Sequence, residues 1–213
     1  MTTEHLEILV EEPSMEAFLQ AILPGLIGNR MSFAIYPYQG KDDLLLRLGE
    51  RLRGYAAWLP RNWRILVVVD RDGDDCVELK RLLENEAQTA RLSTRTSNPR
   101  EWQVSFRIAI EELEGWYFGD WEAVRACYPR VAVGIPKKAN YRDCDGILGG
   151  TWEAFERELQ RADYFIGGLR KIEAARAVGA NFDAKRCTSR SFGHLLAVID
   201  DVRRECGSAT IGL

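Results

Sequence analysis

Arg64-Ile65-Leu66-Val67-Val68-Val69-Asp70-Arg71-Asp72 is the stretch that decides the fold. Its apolar run is uninterrupted and mostly β-branched. That pattern fits a central parallel strand buried on both faces rather than a half-solvated strand, which would alternate. Such a strand needs neighbours on both edges and helices on both faces. Upstream, His5–Glu11 reads as a strand. Pro13 suits the first turn of a helix, and Met15, Phe18, Leu19, Ile22 and Leu23 follow helical spacing until Pro24-Gly25, where the helix is expected to stop. Ser32–Tyr38 reads as a second strand, and Leu45, Leu48, Leu52, Tyr55, Ala56 and Leu59 mark the next helix. Downstream, Leu79, Leu82, Leu83 and Ala87 share one helical face, and Trp102–Ala109 reads as a fourth strand. From about Ile110 the pattern turns helical, with Leu113, Trp116, Tyr117 and Val124 inward.

Strands alternating with helices imply βαβ units, and hence an α/β fold with a mostly parallel sheet flanked by helices. Residues 129–150, rich in Pro, Gly, Lys and Asp, read as a long loop. Three amphipathic helices follow, marked by Trp152, Phe155 and Leu159, then Leu169, Ile172 and Val178, then Phe192, Leu195, Leu196, Ile199 and Val202. The expected organisation is an α/β core over 1–128 and a loop and helical extension over 129–213 that packs on it.

At 213 residues the chain suits one domain, with or without a small appendage. Hydrophobic residues at 46% and charged residues at 29% exclude a disordered tail, a collagen repeat and a coiled-coil rod. The run Ile65–Val69 is far short of the ~20 residues needed to span a bilayer, and Met1-Thr2-Thr3-Glu4 opens no signal-peptide pattern. A cytoplasmic location without membrane contact is the expectation. The net charge of −3 excludes a uniformly basic duplex-binding module. Local balance differs: residues 1–30 hold five acids and one Arg, whereas residues 137–190 hold eleven bases and eight acids. Cys76, Cys127, Cys144, Cys187 and Cys206 form no CxxC pair and read as reduced, mostly buried thiols. With His5 and His194 the only histidines, a zinc hydrolase or a Ser-His-Asp triad has little to work with. Trp102, Trp116 and Trp121 read as core rather than as base-stacking platforms.

Three acidic clusters follow predicted strands: Glu11-Glu12, then Asp70-x-Asp72 with Asp74-Asp75, then Glu111-Glu112-x-Glu114. Ligands of open parallel sheets bind beyond the carboxyl ends of the strands, so these clusters should meet on one edge. Gathered carboxylates repel one another unless a cation sits among them, and an all-oxygen donor set favours Mg²⁺ or Mn²⁺. The expected metal ligands are Glu11, Asp70, Asp72 and Glu114, with Glu111 three residues before Glu114 on the same helical face. Each cluster also has a plain structural use: an exposed strand end, a turn with Asp74 or Asp75 as helix cap, and an acidic first helical turn. Lys171 is expected to join Glu11, Asp70 and Asp72 in catalysis. Ser189 and Arg190, before an apolar helix, form a candidate phosphate seat, or simply a helix cap.

The order Val10-Glu11-x-Pro13-Ser14, then Val68-Val69-Asp70-Arg71-Asp72, resembles the Toprim fold of topoisomerases, primases and overcoming-lysogenization-defect-type nucleases. Its signature is a Glu after the first strand and an Asp-x-Asp after a later one. Glu11, Asp70 and Asp72 match those positions, although Glu12 stands where that fold usually has Gly. More of the chain resembles the bacterial family called domain of unknown function 4276. The matching blocks are Leu9–Glu16, Asp70–Cys76, Ile108–Asp120, Leu169–Arg176 and Ser189–Phe192. The resemblance implies a Toprim-like sheet, Mg²⁺-dependent phosphodiester chemistry on DNA or RNA, and an ATPase partner of the kind found in anti-phage defence pairs. Three functional expectations follow: a Mg²⁺-dependent nuclease, a catalytically inactive Toprim-like subunit that docks on an ATPase, and a phospho-receiver domain. The Asp-x-Asp pair and the three C-terminal helices count against the third.

Overall fold

The all-apolar strand lies at the middle of the sheet. In the computed structural model, which describes residues 3–207 without the side chains of Arg30 and Cys206, β3 runs Trp63–Asp70. It pairs with β1 (His5–Val10) on one side and β4 (Val104–Ala109) on the other, and β2 (Ser32–Pro37) lies beyond β1. The order is β2-β1-β3-β4 and every pair is parallel. In register, Val10 sits opposite Val68 and Ala109 opposite Asp70, so β1, β3 and β4 all end on one edge.

Strand alternation divides the core. Leu9, Ile65, Val67, Val69, Val104 and Phe106 point to the face covered by α2 (Lys41–Trp58) and α3 (Cys76–Thr89). Leu6, Ile8, Val10, Leu66, Val68 and Ala109 point to the opposite, larger cluster. That cluster takes in α1 (Pro13–Ile27), α4 (Glu114–Gly119), α5 (Trp121–Cys127), α6 (Thr151–Gln160), α7 (Lys171–Asn181) and α8 (Arg190–Gly207). One hydrophobic body therefore joins the first helix of the chain to the last.

α7 lies directly against α1. A Cβ on Gly179 would come within 2.8 Å of the Ala21 Cβ and 3.2 Å of the Phe18 carbonyl oxygen, so only glycine admits this approach. The contact fixes the height of α7 and brings its first residue, Lys171, over the carboxyl edge of the sheet. Gly179→Val is expected to cost about 1–3 kcal/mol through overpacking, read as a lower urea midpoint at unchanged slope.

Several local expectations need correction. Pro24 does not stop α1, which continues to Ile27; Gly28, at φ 65°, ends it by donating its N–H to the Pro24 carbonyl. Pro24 has no N–H to give the Gln20 carbonyl, and Gln20 is an exposed residue of the helix. Residues 110–113 are not helical, because backbone bonds divert them: the Arg71 N–H donates to Ala109 O and the Asp72 N–H to Glu111 O, each at 2.9 Å. The helix expected next is split at Asp120, whose side chain accepts from the Ala123 N–H and caps α5. Leu82 and Ile172, expected inward, are 42% and 45% exposed. Trp102, Trp116 and Trp121 are buried in the core, as expected. Cys76, Cys127, Cys144 and Cys187 are free thiols, of which only Cys144 is fully buried, and the Cys206 side chain lies outside the described residues.

Candidate functional site at the carboxyl ends of the strands

Asp70 is the last residue of β3 and shares the Leu66 and Val68 face, so its side chain turns beneath the α1 and α4 layer. It is 5% exposed, and its Oδ1 has no hydrogen-bond partner. Burial, reinforced by the charges of Glu11, Glu114, Glu12 and Asp72, holds its pKa well above the usual carboxylate value. Glu11, just past β1, accepts the Asp70 backbone N–H on Oε2 at 3.1 Å. Burial raises the Glu11 pKa to about 7; the Asp70 N–H and Lys41 oppose this, and Asp72 and Glu12 add to it.

Glu114 is the first residue of α4 and is only 2% exposed. Burial lifts its pKa to about 7, with Glu112 and Glu12 adding and Lys171 opposing. It is thus an inward carboxyl rather than part of a solvated first turn, and Glu111, which precedes α4, does not share its helical face. Glu111 pairs with the Arg71 guanidinium. Glu112 accepts from the Thr151 N–H, the Thr151 hydroxyl and the Trp152 N–H at 2.7–2.9 Å, which seats the N-terminus of α6. Three nearby glutamates therefore have three different fates.

Two lysines border the carboxylates. Lys171 Nζ lies 3.6 Å from Glu12 Oε1 and 5.3 Å from the Trp152 ring centroid. Burial alone would lower its pKa, but Glu114, Glu12, Glu112 and Asp70 outweigh this and raise it. Lys41, the first residue of α2, reaches Asp72 at 2.6 Å and both Asp74 and the Arg71 carbonyl at 2.9 Å. Asp72 has φ 49°, a left-handed conformation that Asp tolerates better than most residues, and it lies at the exposed rim. Asp75, not Asp74, caps α3 by accepting from the Val77 and Glu78 N–H groups.

The donors fit a hard cation in chemistry: all are carboxylate oxygens, and one buried oxygen of Asp70 has nothing to bond. They are not drawn together as a finished cage. Among the described residues no group of three or more His, Cys, Asp or Glu is placed to hold a metal ion. Asp72 is turned to Lys41 instead. Glu11 and Asp70 are the pair already adjacent, with Glu114 behind them in the same electrostatic cluster.

Ser189 and Arg190 do not form an open phosphate seat. The anion at the start of α8 is Asp145, from the 129–150 loop. It accepts the Ser189 hydroxyl at 2.7 Å, the Arg190 N–H at 2.6 Å, the Ser191 N–H at 3.2 Å and the Ser191 hydroxyl at 3.1 Å. Ser189 is buried and spent on this contact, while the Arg190 guanidinium turns to Asp143. The helix N-terminus does bind an anion, but one the chain supplies. Asp145→Ala strands these donors and is expected to cost about 1–3 kcal/mol, read by denaturant unfolding.

Lys41 escaped the sequence reading, although it opens the helix after β2 and so had to start near this edge. Asp145 carried no sequence signal, being one acid in a polar loop.

Fold and site define an α/β protein with a parallel sheet and a buried carboxylate cluster at its carboxyl edge. The family described as Domain of unknown function (DUF4276) matches residues 10–200, and the chain belongs to that family. No curated protein and no solved structure matches the chain. Among the described residues no helix is long and apolar enough to cross a membrane.

Proposed function

We propose that the protein is a Toprim-like, Mg²⁺- or Mn²⁺-dependent nuclease that hydrolyses phosphodiesters of DNA or RNA. The observation that carries this reading is the Asp70 carboxylate, buried at the end of the central strand with an unpartnered oxygen among Glu11, Glu12, Asp72 and Glu114. Glu11 and Asp70 would hold the ion, with Asp72 joining if it leaves Lys41, and Glu114 supporting from within. A bound divalent ion supplies charge neutralisation at the phosphoryl oxygens and an acidified water.

The chain's own groups do the rest. Glu114, whose carboxylate form Lys171 favours and a bound cation would favour further, can take a proton from an attacking water and return it. Lys171 stays charged beside Glu12 and offers a cation to a phosphate entering the edge. Lys41 holds the β3–α3 turn in place through Asp72, Asp74 and the Arg71 carbonyl.

The second reading is an inactive Toprim-like subunit that docks on an ATPase. The Lys41–Asp72 pair and the absence of a finished ligand cage among the described residues favour it. The test is cleavage of labelled single- and double-stranded DNA and RNA by purified protein in Mg²⁺, Mn²⁺ and chelator, alone and with any ATPase that co-purifies. Metal-dependent cleavage lost in Glu11→Gln supports the nuclease. No cleavage under any of these conditions, with a stable ATPase complex, supports the docking subunit.

A further inference from the structure

At the other end of β3 and β4 lies a cleft of about 410 Å³ whose lining includes Arg61, Arg64, Arg100 and Trp102. We propose that this cleft binds a phosphate group. Arg64, the second residue of β3, is 5% exposed. Its NH1 donates to the Arg61 and Trp63 carbonyls and its NH2 to Glu205, but its Nε is buried without a partner. Trp102, 1% exposed, likewise has a buried indole N–H without a partner. The Arg64 guanidinium carbon stands 5.5 Å from the Trp102 ring centroid, and both side chains line this cleft.

A buried donor left unmet costs about 1–3 kcal/mol, and a small turn of either side chain that brings its donor to an acceptor in the cleft would relieve that cost. Arg61 and Arg100 are exposed at the mouth. Against the three arginines the lining holds two acids, Glu101 and Glu205, and Glu205 is already paired with Arg64. The unmet need is for acceptors carrying negative charge. A carboxylate offers two oxygens on one plane. The Arg64 Nε–H, the indole N–H and two free guanidinium forks suit the three or more oxygens of a phosphate better. Arg64 and Asp70 lie six residue steps apart along β3, about 20 Å at strand rise, so this site stands apart from the carboxylate edge and does not depend on its chemistry.

The test uses the full chain labelled with ¹⁵N, with the Trp102 indole resonance assigned by Trp102→Phe. Inorganic phosphate is titrated first, then a nucleoside monophosphate, with chloride at matched ionic strength as control. The expected result is a saturable shift of that one indole resonance. Removing both exposed guanidinia (Arg61→Ala with Arg100→Ala) should weaken it by about tenfold or more. Glu11→Gln should leave it unchanged. Tighter binding of the monophosphate than of phosphate assigns the site to an organic phosphate, and equal binding assigns it to the bare ion. An indole resonance that stays still, moves equally with chloride, or titrates identically in the double variant overturns the proposal. If Trp102→Phe folds poorly, the indole resonance is assigned on the wild-type chain from its through-space contacts, and the arginine variants, which change only exposed side chains, keep the readout.

Discussion

Asp70→Asn is expected to abolish metal-dependent cleavage, by at least about 100-fold, while leaving the metal-free protein folded and firmer at alkaline pH. The loss should exceed the 10–100-fold typical of groups that merely support a metal ligand, since Asp70 is proposed to touch the ion itself. The stability effect has a definite sign. Burial and four neighbouring acids raise the Asp70 pKa in the folded protein. A raised folded pKa adds stability below the unfolded value, near 4, and that stability is lost as pH climbs through the folded value. Wild type without metal should therefore soften as pH rises, and the variant, with no charge to bury, should soften less. Asn keeps the shape of Asp, so no cavity confuses the result. Thermal melts from pH 5 to pH 9 with chelator, beside cleavage assays in Mn²⁺, read both effects. Unchanged cleavage would remove Asp70 from the chemistry, and a lower melting temperature at every pH would make it a structural acceptor.

The parts of this site legible in the sequence are those set by strand order. Five apolar residues before Asp70 placed β3 at the sheet centre, and parallel pairing then put Glu11 and Asp70 on the same edge. What escaped depends on contacts made far along the chain. Glu114 was expected among the ligands, but on a helical face shared with Glu111, because nothing local shows that residues 110–113 are pinned to the Arg71-Asp72 turn, which starts α4 at Glu114 and turns it inward. Ser189 and Arg190 looked like an anion seat, and the α8 terminus is one. Whether the anion is a ligand or Asp145 cannot be read from spacing, because a loop acid leaves no periodicity. Lys41 shows the same limit from the other side: its effect depends on the left-handed turn at Asp72, which brings that carboxylate to its Nζ. Pro24 misled for a different reason. A proline breaks one hydrogen bond, and α1 stays packed on α7 without it.

Glu114→Gln distinguishes a serving carboxyl from a merely buried one. Its pKa rises from 4.5 to about 7 on folding, with burial the first cause. Below pH 4.5 its contribution is fully present, and it disappears as pH passes 7, a change on the order of 3 kcal/mol for a shift of this size. Glutamine carries no charge, so the metal-free variant should melt higher than wild type at pH 8 and nearly level with it at pH 5. A divalent ion reverses that order, because it favours the carboxylate form. If Glu114 faces the ion, Mn²⁺ should raise the wild-type melting temperature at pH 8 by mass action and raise that of the variant less. The Mn²⁺ needed for half-maximal cleavage should then rise by about tenfold, the scale of one supporting group at a metal site. Lys171 sharpens the comparison, since its charge already favours the Glu114 carboxylate. Lys171→Met should raise the Glu114 pKa further and move the alkaline loss of metal-free stability to higher pH, without needing any ion. An identical Mn²⁺ requirement in wild type and Glu114→Gln would leave Glu114 as the buried partner of Lys171, with cation binding confined to Glu11, Asp70 and the mobile choice of Asp72 between Lys41 and the ion.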